Sequence, residues 1–256
     1  MTSTPPFGER ARSWWHRPET RGVLLIWAVL TIVLVLFCWV PAHLMGPPAS
    51  PTMHAIESTV TVFTAAACPV AAMVWAIALY SLLKWRHRGV DQPSEDGPAI
   101  RGNGVVTSTW LLVSSALCVF LLIWGLAEIG AVSAPAASAD PLVVDVTGQQ
   151  WVWTFSYPQD GNIESADLYL PVNRPVVFHV TSTDVIHSFW VVQMGIKIDA
   201  NPGATTTTSV VPDKIGVFDV RCAELCGLLH ADMETTANVV SLAAFRSWVV
   251  ANGGHV

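Results

Sequence analysis

The chain has 256 residues and a net charge of −6, with 52% hydrophobic residues, 12% charged residues and a mean hydropathy of +0.47. That balance excludes an ordinary soluble domain and points to a protein of the lipid bilayer, and an acidic chain is not expected to take a nucleic-acid partner. The charge is divided unevenly: from Ser133 onward there are 12 Asp/Glu against 5 Lys/Arg, a net of −7, which leaves about +1 for the part before it.

In chain order, residues 1–21 are polar and basic, with Arg10, Arg12, Arg17 and Arg21 ahead of the first apolar run. Three apolar runs follow, at about residues 23–40, 59–83 and 105–126. Each is close to the ~20 residues needed to cross a hydrocarbon core of ~30 Å. Residues 1–132 are therefore expected to be a membrane anchor. No Lys or Arg lies between Arg21 and Lys84, whereas Lys84, Arg86, Arg88 and Arg101 crowd the connection between the second and third runs. The positive-inside rule puts the N-terminus and that connection in the cytoplasm, so the third run delivers the rest of the chain to the outer side. The first run is expected to be retained, because it exceeds the ~7–15-residue apolar core of a cleaved signal and no A-x-A pattern follows it.

Residues 133–140 read as a small Pro- and Ala-containing linker, and residues 141–256 as one extracytoplasmic domain. The pattern there changes to short β-branched runs at 142–147, 151–157, 176–182, 185–192, 205–211, 217–220 and 236–240. Turn residues separate them, including Pro158, Gly161, Pro171, Asn201-Pro202-Gly203 and Pro212-Asp213. Many short strands with regular turns predict an all-β sandwich or barrel. Residues 243–250 predict a short closing helix.

The chemistry concentrates between Cys222 and Met233. Cys222, Cys226, His230 and Met233 fall within one short loop. Thiolate and thioether favour Cu(I), and imidazole tolerates both copper oxidation states. An extracytoplasmic disulfide and a structural zinc site also stand open for these cysteines. The spacing is not the C-x-x-C of zinc ribbons or thioredoxin-like sites, and neither alternative uses the methionine. A single blue-copper site needs one Cys, so the second is surplus unless two metals share the thiolates. Cys38, Cys68 and Cys118 lie inside the apolar runs, where cysteine acts as a small hydrophobe. There is no C-x-x-C-H for a covalent haem.

Four ordered motifs carry a resemblance. The aromatic stretch Gln150–Tyr157, the stretch Thr181–Trp190 around His187, the turn Lys197–Gly203 and the loop Cys222–Met233 resemble subunit II of the haem–copper cytochrome c oxidases. The resemblance implies an N-terminal transmembrane anchor followed by a cupredoxin-like Greek-key barrel bearing a binuclear copper centre, CuA. It implies Cys222 and Cys226 as bridging thiolates, one copper bound by His187 and the other by His230. Met233 and the backbone carbonyl of Glu224 would be weak axial ligands. The Glu224 side chain would reach a magnesium ion at the interface with the large haem-bearing subunit I. Trp151 would be the point where electrons enter from cytochrome c, steered by an acidic rim drawn from Asp160, Glu164, Asp167 and Asp184. By spacing alone, Trp151, Trp153, Phe155 and Tyr157 share a face and read as packed core. His179 lacks the context of His187 and reads as structural.

The chain departs from the family in two places. The family's anchor is a two-helix hairpin, matched here by the second and third runs, so the first run is additional. Family members also carry an acidic residue shortly before a Trp at the cytoplasmic start of the hairpin's second helix, whereas Thr107, Ser108 and Thr109 precede Trp110 here. The expected function is the electron-accepting subunit of a terminal respiratory oxidase, with oxygen reduced in the partner subunit. The alternatives are the CuA-containing subunit of a nitric oxide reductase and a membrane copper-binding protein. The latter would carry exposed Met- or His-rich tracts, and none is present. A quinol-oxidizing homologue would typically lack the copper ligands.

Overall fold

The computed structural model describes residues 17–84, 102–132 and 140–255. Arg10, Arg12, Arg86, Arg88, Arg101 and residues 133–139 of the expected linker lie outside the described residues. The chain divides into two compact units, one running to Pro41 and resuming at Val60–Trp124, the other comprising Ala42–Thr59 and everything from Gly125.

Among the described residues four helices precede the strands: α1 (Pro18–Leu36), α2 (Val40–His43), α3 (Pro51–Lys84) and α4 (Gly104–Val132). Among the described residues three stretches are long and apolar enough to cross a membrane, Pro18–His43, Pro51–Lys84 and Gly104–Ile129. The additional first helix packs on α3. The Trp27 indole N–H donates to the Pro69 carbonyl at 2.9 Å, and a Cβ on Gly22 would come within 2.5 Å of the Tyr80 ring. Helix α3 begins eight residues before the apolar run at 59. Ser50 caps it by accepting the Met53 N–H at 3.0 Å, and Pro51 occupies the first helical position, where no N–H is needed. Thr52, His54, Glu57 and Ser58 hide this first stretch from a hydropathy reading.

The second unit holds ten strands among the described residues: β1 (Leu142–Gln149), β2 (Val152–Tyr157), β3 (Ile163–Ser165), β4 (Leu168–Pro171), β5 (Val176–Ser182), β6 (His187–Val191), β7 (Ile196–Ala200), β8 (Thr206–Val210), β9 (Gly216–Cys222) and β10 (Glu234–Val240). They form two five-stranded sheets, ordered β3-β2-β1-β5-β8 and β4-β10-β9-β6-β7. Pairing is antiparallel except for β1 with β5 and β4 with β10. The result is the expected cupredoxin-like architecture. Period-2 burial explains it: Leu142, Val144 and Val146 of β1 and Val176, Phe178 and Val180 of β5 all point inward.

Phe189 on β6 joins the two sheets. Its ring lies 5.6 Å from Trp153, 6.1 Å from Phe155 and 5.3 Å from Phe178, all tilted or edge-on, the geometry aromatic quadrupoles favour. A closing helix α5 (Leu242–Ala251) is capped by Ser241, which accepts the Ala244 N–H. It buries Phe245 and Val249, one turn apart, and stacks Trp248 on Tyr169 at 4.4 Å.

The segment before α3 is stitched to the sandwich. The Ala49 N–H donates to the Gln193 carbonyl at 2.8 Å, the Asp213 N–H donates to the Ala49 carbonyl at 3.1 Å, and the buried Ser50 hydroxyl donates to the Met194 carbonyl at 2.7 Å. Gly195 sits at φ +65°, and a Cβ there would meet Ile56 at 2.7 Å and the Met53 backbone at 3.2 Å. Only glycine admits this approach.

Two sequence expectations need correction. Strands β3, β4 and β7 were not expected, the first two because they are only three and four residues long. Residues 197–200, read as part of a turn, belong to β7 and pair with β6, and the turn is confined to Asn201-Pro202-Gly203. Lys197 and Asp199 are exposed on the outward face, so the run lacks an apolar signature.

Replacing Phe189 by Ala should remove the contact shared by both sheets. A loss of about 3–5 kcal/mol is expected for a buried Phe→Ala change. Denaturant unfolding of the detergent-solubilised chain, followed by tryptophan fluorescence, measures it.

Candidate metal centre

The inward faces of β6 and β9 run out of the core into a cluster of side chains that could hold a metal ion. Phe189 is paired with Cys222 across the two strands. His187 lies two residues further along the same inward face, so both ligand types enter the same end of the sandwich. The loop after β9 then folds back. Its Cys222 N–H donates to the Met233 carbonyl at 3.0 Å, closing the loop at its base.

Inside this loop the sulfur and nitrogen atoms converge. Cys222 Sγ and Cys226 Sγ are 3.8 Å apart. His187 Nδ1 is 3.8 Å from Cys222 Sγ, His230 Nδ1 is 3.5 Å from Cys226 Sγ, and Met233 Sδ is 3.8 Å from Cys226 Sγ. The Glu224 carbonyl lies 3.3 Å from Cys222 Sγ. His187, Cys222 and Cys226 are buried with their ligand atoms all within 4.8 Å of one another.

These separations fit a metal. Around a tetrahedral ion with metal–sulfur bonds of about 2.3 Å and metal–nitrogen bonds of about 2.0 Å, neighbouring donors sit roughly 3.5–3.8 Å apart. Both cysteines are free thiols. The mixture of thiol, imidazole and thioether is the donor set of copper, and the buried Met233, without a role in a zinc or disulfide reading, faces Cys226.

The surroundings hold the donors in place. His187 Nε2 is 2.9 Å from Asp184 Oδ1. The carboxylate accepts the Nε2 proton and leaves Nδ1 free to face Cys222, the arrangement that fixes the tautomer of ligating histidines. Burial works to raise the Asp184 pKa, but hydrogen bonds from the Gln150 N–H, the His187 ring and the Val185 N–H outweigh it and bring it to about 2. Burial, followed by the hydrogen bond and charge of Cys222, pushes the Cys226 thiol up to about 11. Metal-free, it stays protonated at neutral pH. Two glycines make room: a Cβ on Gly148 would meet Trp153 at 3.0 Å and the His187 ring at 3.1 Å, and one on Gly227, at φ +122°, would meet Gln150 at 3.0 Å and the Trp151 indole at 3.3 Å.

Of the residues singled out by sequence, His187, Cys222, Cys226, His230 and Met233 come together with the Glu224 carbonyl. The Glu224 side chain is exposed. Trp151 precedes β2 rather than lying in it. It is half-buried with its indole against Gly227, next to Cys226, while Trp153, Phe155 and Tyr157 are core. His179 is remote from the cluster and pairs with Asp145 at 3.1 Å. Two of the expected rim acids are otherwise engaged. Asp184 is committed to His187 and Gln150. Asp160 is buried, and burial raises its pKa against the pull of Arg174 and His255. Glu164 and Asp167 are exposed, Asp167 accepting from Thr235 at 2.7 Å. Gly148 and Gly227 escaped the sequence reading because only the path of a neighbouring chain gives a glycine this meaning.

Asp184→Ala should release the His187 ring and weaken copper retention by about 10–100-fold, the usual cost of removing such a partner. Gly148→Ala should weaken it too, by displacing the ring directly. Competition with a chromophoric copper chelator reads both.

Residues 164–240 match the family described as cytochrome c oxidase subunit II, periplasmic domain. Cytochrome c oxidase subunit 2 of Alkalihalophilus pseudofirmus is 34% identical over 186 residues, covering 70% of this chain and 53% of the relative. Quinol oxidase subunit 2 of Bacillus subtilis is 30% identical over 230 residues, covering 88% of this chain and 71% of the relative. The solved periplasmic domain of subunit II of the cytochrome oxidase of Bradyrhizobium japonicum is 35% identical, covering 44% of this chain and 93% of that one, with a TM-score of 0.43. The chain thus spans between about half and three quarters of the length of these two full-length relatives. With the donor cluster and the three apolar helices, the match over nearly the whole chain makes this protein a member of the subunit II family of the haem–copper oxidases.

Proposed function

We propose that this chain is the electron-accepting subunit of a terminal respiratory oxidase, taking electrons from cytochrome c at a binuclear copper centre and passing them to haem in the large partner subunit. One observation carries the reading: six donors gather in one pocket and divide into two sets. The Glu224 carbonyl and His187 lie against Cys222, and His230 and Met233 against Cys226. Two four-coordinate metals that share a pair of thiolates need six donors. Two copper ions held by these six donors would share one unpaired electron, which would let the centre accept and release an electron with little rearrangement of the residues that hold it.

The remaining work is done by the protein. Asp184 holds the His187 ring through Nε2, Trp153 packs edge-on against that ring at 6.0 Å, and the burial of both cysteines keeps bulk water from the sulfurs. A rigid, dry pocket lowers the rearrangement that accompanies each electron. The Trp151 indole, against Gly227 and one residue from Cys226 along the loop, offers a conjugated route to the surface. On the segments that carry His187 and Cys226, Ile186, Leu225 and Leu228 are exposed, the last at 88%. Exposed apolar patches of this kind mark protein interfaces. The excess of acidic residues beyond Ser133 favours a basic donor through long-range attraction. The exposed Glu224 carboxylate is the candidate for a magnesium ion against subunit I, since that ion prefers carboxylate and water oxygens. The N-terminus is assigned to the cytoplasm by its arginines. A quinol donor, used by the Bacillus relative as its name states, is disfavoured by the complete set of copper donors.

The metal-loaded chain should contain two coppers and give a paramagnetic signal from one electron coupled to both nuclei. A single tightly bound zinc, or an electron localised on one copper, overturns the reading. Uptake must displace thiol protons, so loading should release acid and apparent affinity should rise with pH through the neutral range. A pH-stat titration of the metal-free protein with Cu ions measures the release. Trp151→Phe should slow reduction by cytochrome c while leaving copper content unchanged. Stopped-flow reduction at several ionic strengths separates this from loss of docking, which is felt most at low salt, where screening over the ~8 Å physiological Debye length is relaxed.

A further inference from the structure

We infer that Gln150 is a positioning residue for the copper centre, a clamp that ties the loop carrying Cys226, His230 and Met233 to the segment carrying Asp184 and His187. The inference rests on the copper reading of the pocket. Its side-chain amide donates to the Cys226 carbonyl at 2.8 Å, across 76 residues of sequence. A carbonyl only accepts, so this contact also fixes which end of the amide faces the loop. The Gln150 backbone N–H donates to Asp184 Oδ2 at 2.8 Å, across 34 residues. Asp184 uses its other oxygen for His187 Nε2. One residue thus reaches a copper-loop backbone on one side and, through a single carboxylate, a ligand imidazole on the other.

The surroundings are shaped to admit this clamp. A Cβ on Gly227 would lie 3.0 Å from the Gln150 amide nitrogen, so the loop must carry glycine at the residue after Cys226 for the amide to reach its carbonyl. Residues 223–225 and 227–229 are half-buried or exposed, and Leu225 and Leu228 face outward. A loop with so little apolar anchorage depends on its few hydrogen bonds for a fixed shape. The bond from the Cys222 N–H to the Met233 carbonyl closes its base, and the bond from Gln150 holds its far side. The clamp touches no ligand atom. It acts by setting where Cys226 Sγ sits relative to Cys222 and His187, and therefore how evenly two metals share the sulfurs.

Two variants of the full chain test this. Gln150→Glu keeps the length and shape of the side chain, but its ionised end cannot donate to the Cys226 carbonyl. Gln150→Ala removes the side chain, and both keep the backbone bond to Asp184. Each should lower copper affinity by about 10–100-fold. Each should also shift the midpoint potential and make the copper hyperfine couplings unequal, changes a merely structural substitution elsewhere in the sandwich would not produce. In the copper-free chain each should raise the rate at which a thiol reagent labels Cys226 several-fold, while circular dichroism stays that of wild type. If Gln150→Ala fails to fold, the isosteric Gln150→Glu decides. Wild-type affinity, potential, hyperfine pattern and labelling rate in Gln150→Glu overturn the clamp alone. A wild-type chain that takes up no copper overturns the reading of the pocket, and the clamp with it, and is seen before any variant is made.

Discussion

The antiparallel register of β6 against β9 is the constraint on which the rest of the second unit depends. Phe189 opposite Cys222 and Val191 opposite Val220 set two inward rows side by side. Along each row the residues change from apolar packing to candidate metal donors without changing face: Val191, Phe189, His187 on one strand and Phe218, Val220, Cys222 on the other. A slip of one residue would turn every one of these side chains to the opposite face of the sheet. The core therefore pays for the precision of the site. The same aromatic contacts that hold the two sheets together fix the strand from which the first imidazole projects.

That placement has an electrostatic consequence. Thiolates are costly in a buried site unless a cation compensates them. Without metal the protein keeps Cys226 as a neutral thiol, its pKa pushed well above the ordinary value. Asp184, beside the donors, stays ionised because hydrogen bonds from two backbone N–H groups and an imidazole outweigh the cost of its burial. The pocket thus separates two tasks. Charge compensation at sulfur would fall to a bound metal, and orientation of the histidine is supplied by the Asp184 carboxylate.

Much of this was legible in the sequence, for reasons that also explain what was not. The loop from Cys222 to Met233 could be read because four donors lie within twelve consecutive positions, and few other chemistries require that mixture. Strands β1 and β5 could be read because they are long, alternate strictly and are buried on one face. Strand β7 could not, because Lys197 and Asp199 occupy its outward face directly before a Pro-Gly turn. Asp184 was assigned to a docking rim on charge alone, and nothing local distinguishes a carboxylate that steers a partner from one that holds an imidazole. Gly148 and Gln150 drew their meaning from chain segments 39 and 76 residues away, a distance over which pattern and propensity carry no information.

The stitching of residues 49–53 to the loop before β7 has a consequence for how the molecule is made. The Ser50 hydroxyl and the Met194 carbonyl that accepts it are separated by 144 residues. At a synthesis rate of about 5–20 residues per second, the acceptor leaves the ribosome roughly 7–30 s after the donor. Over that interval the start of α3 already exists, but the partners that bury Ala49, Ser50 and Met53 do not. These groups must wait in water or against the bilayer, and the entropy of closing so long a loop is recovered only when the sandwich forms. Residues 49–53 are therefore made well before the sandwich that receives them, and their docking follows the folding of that sandwich.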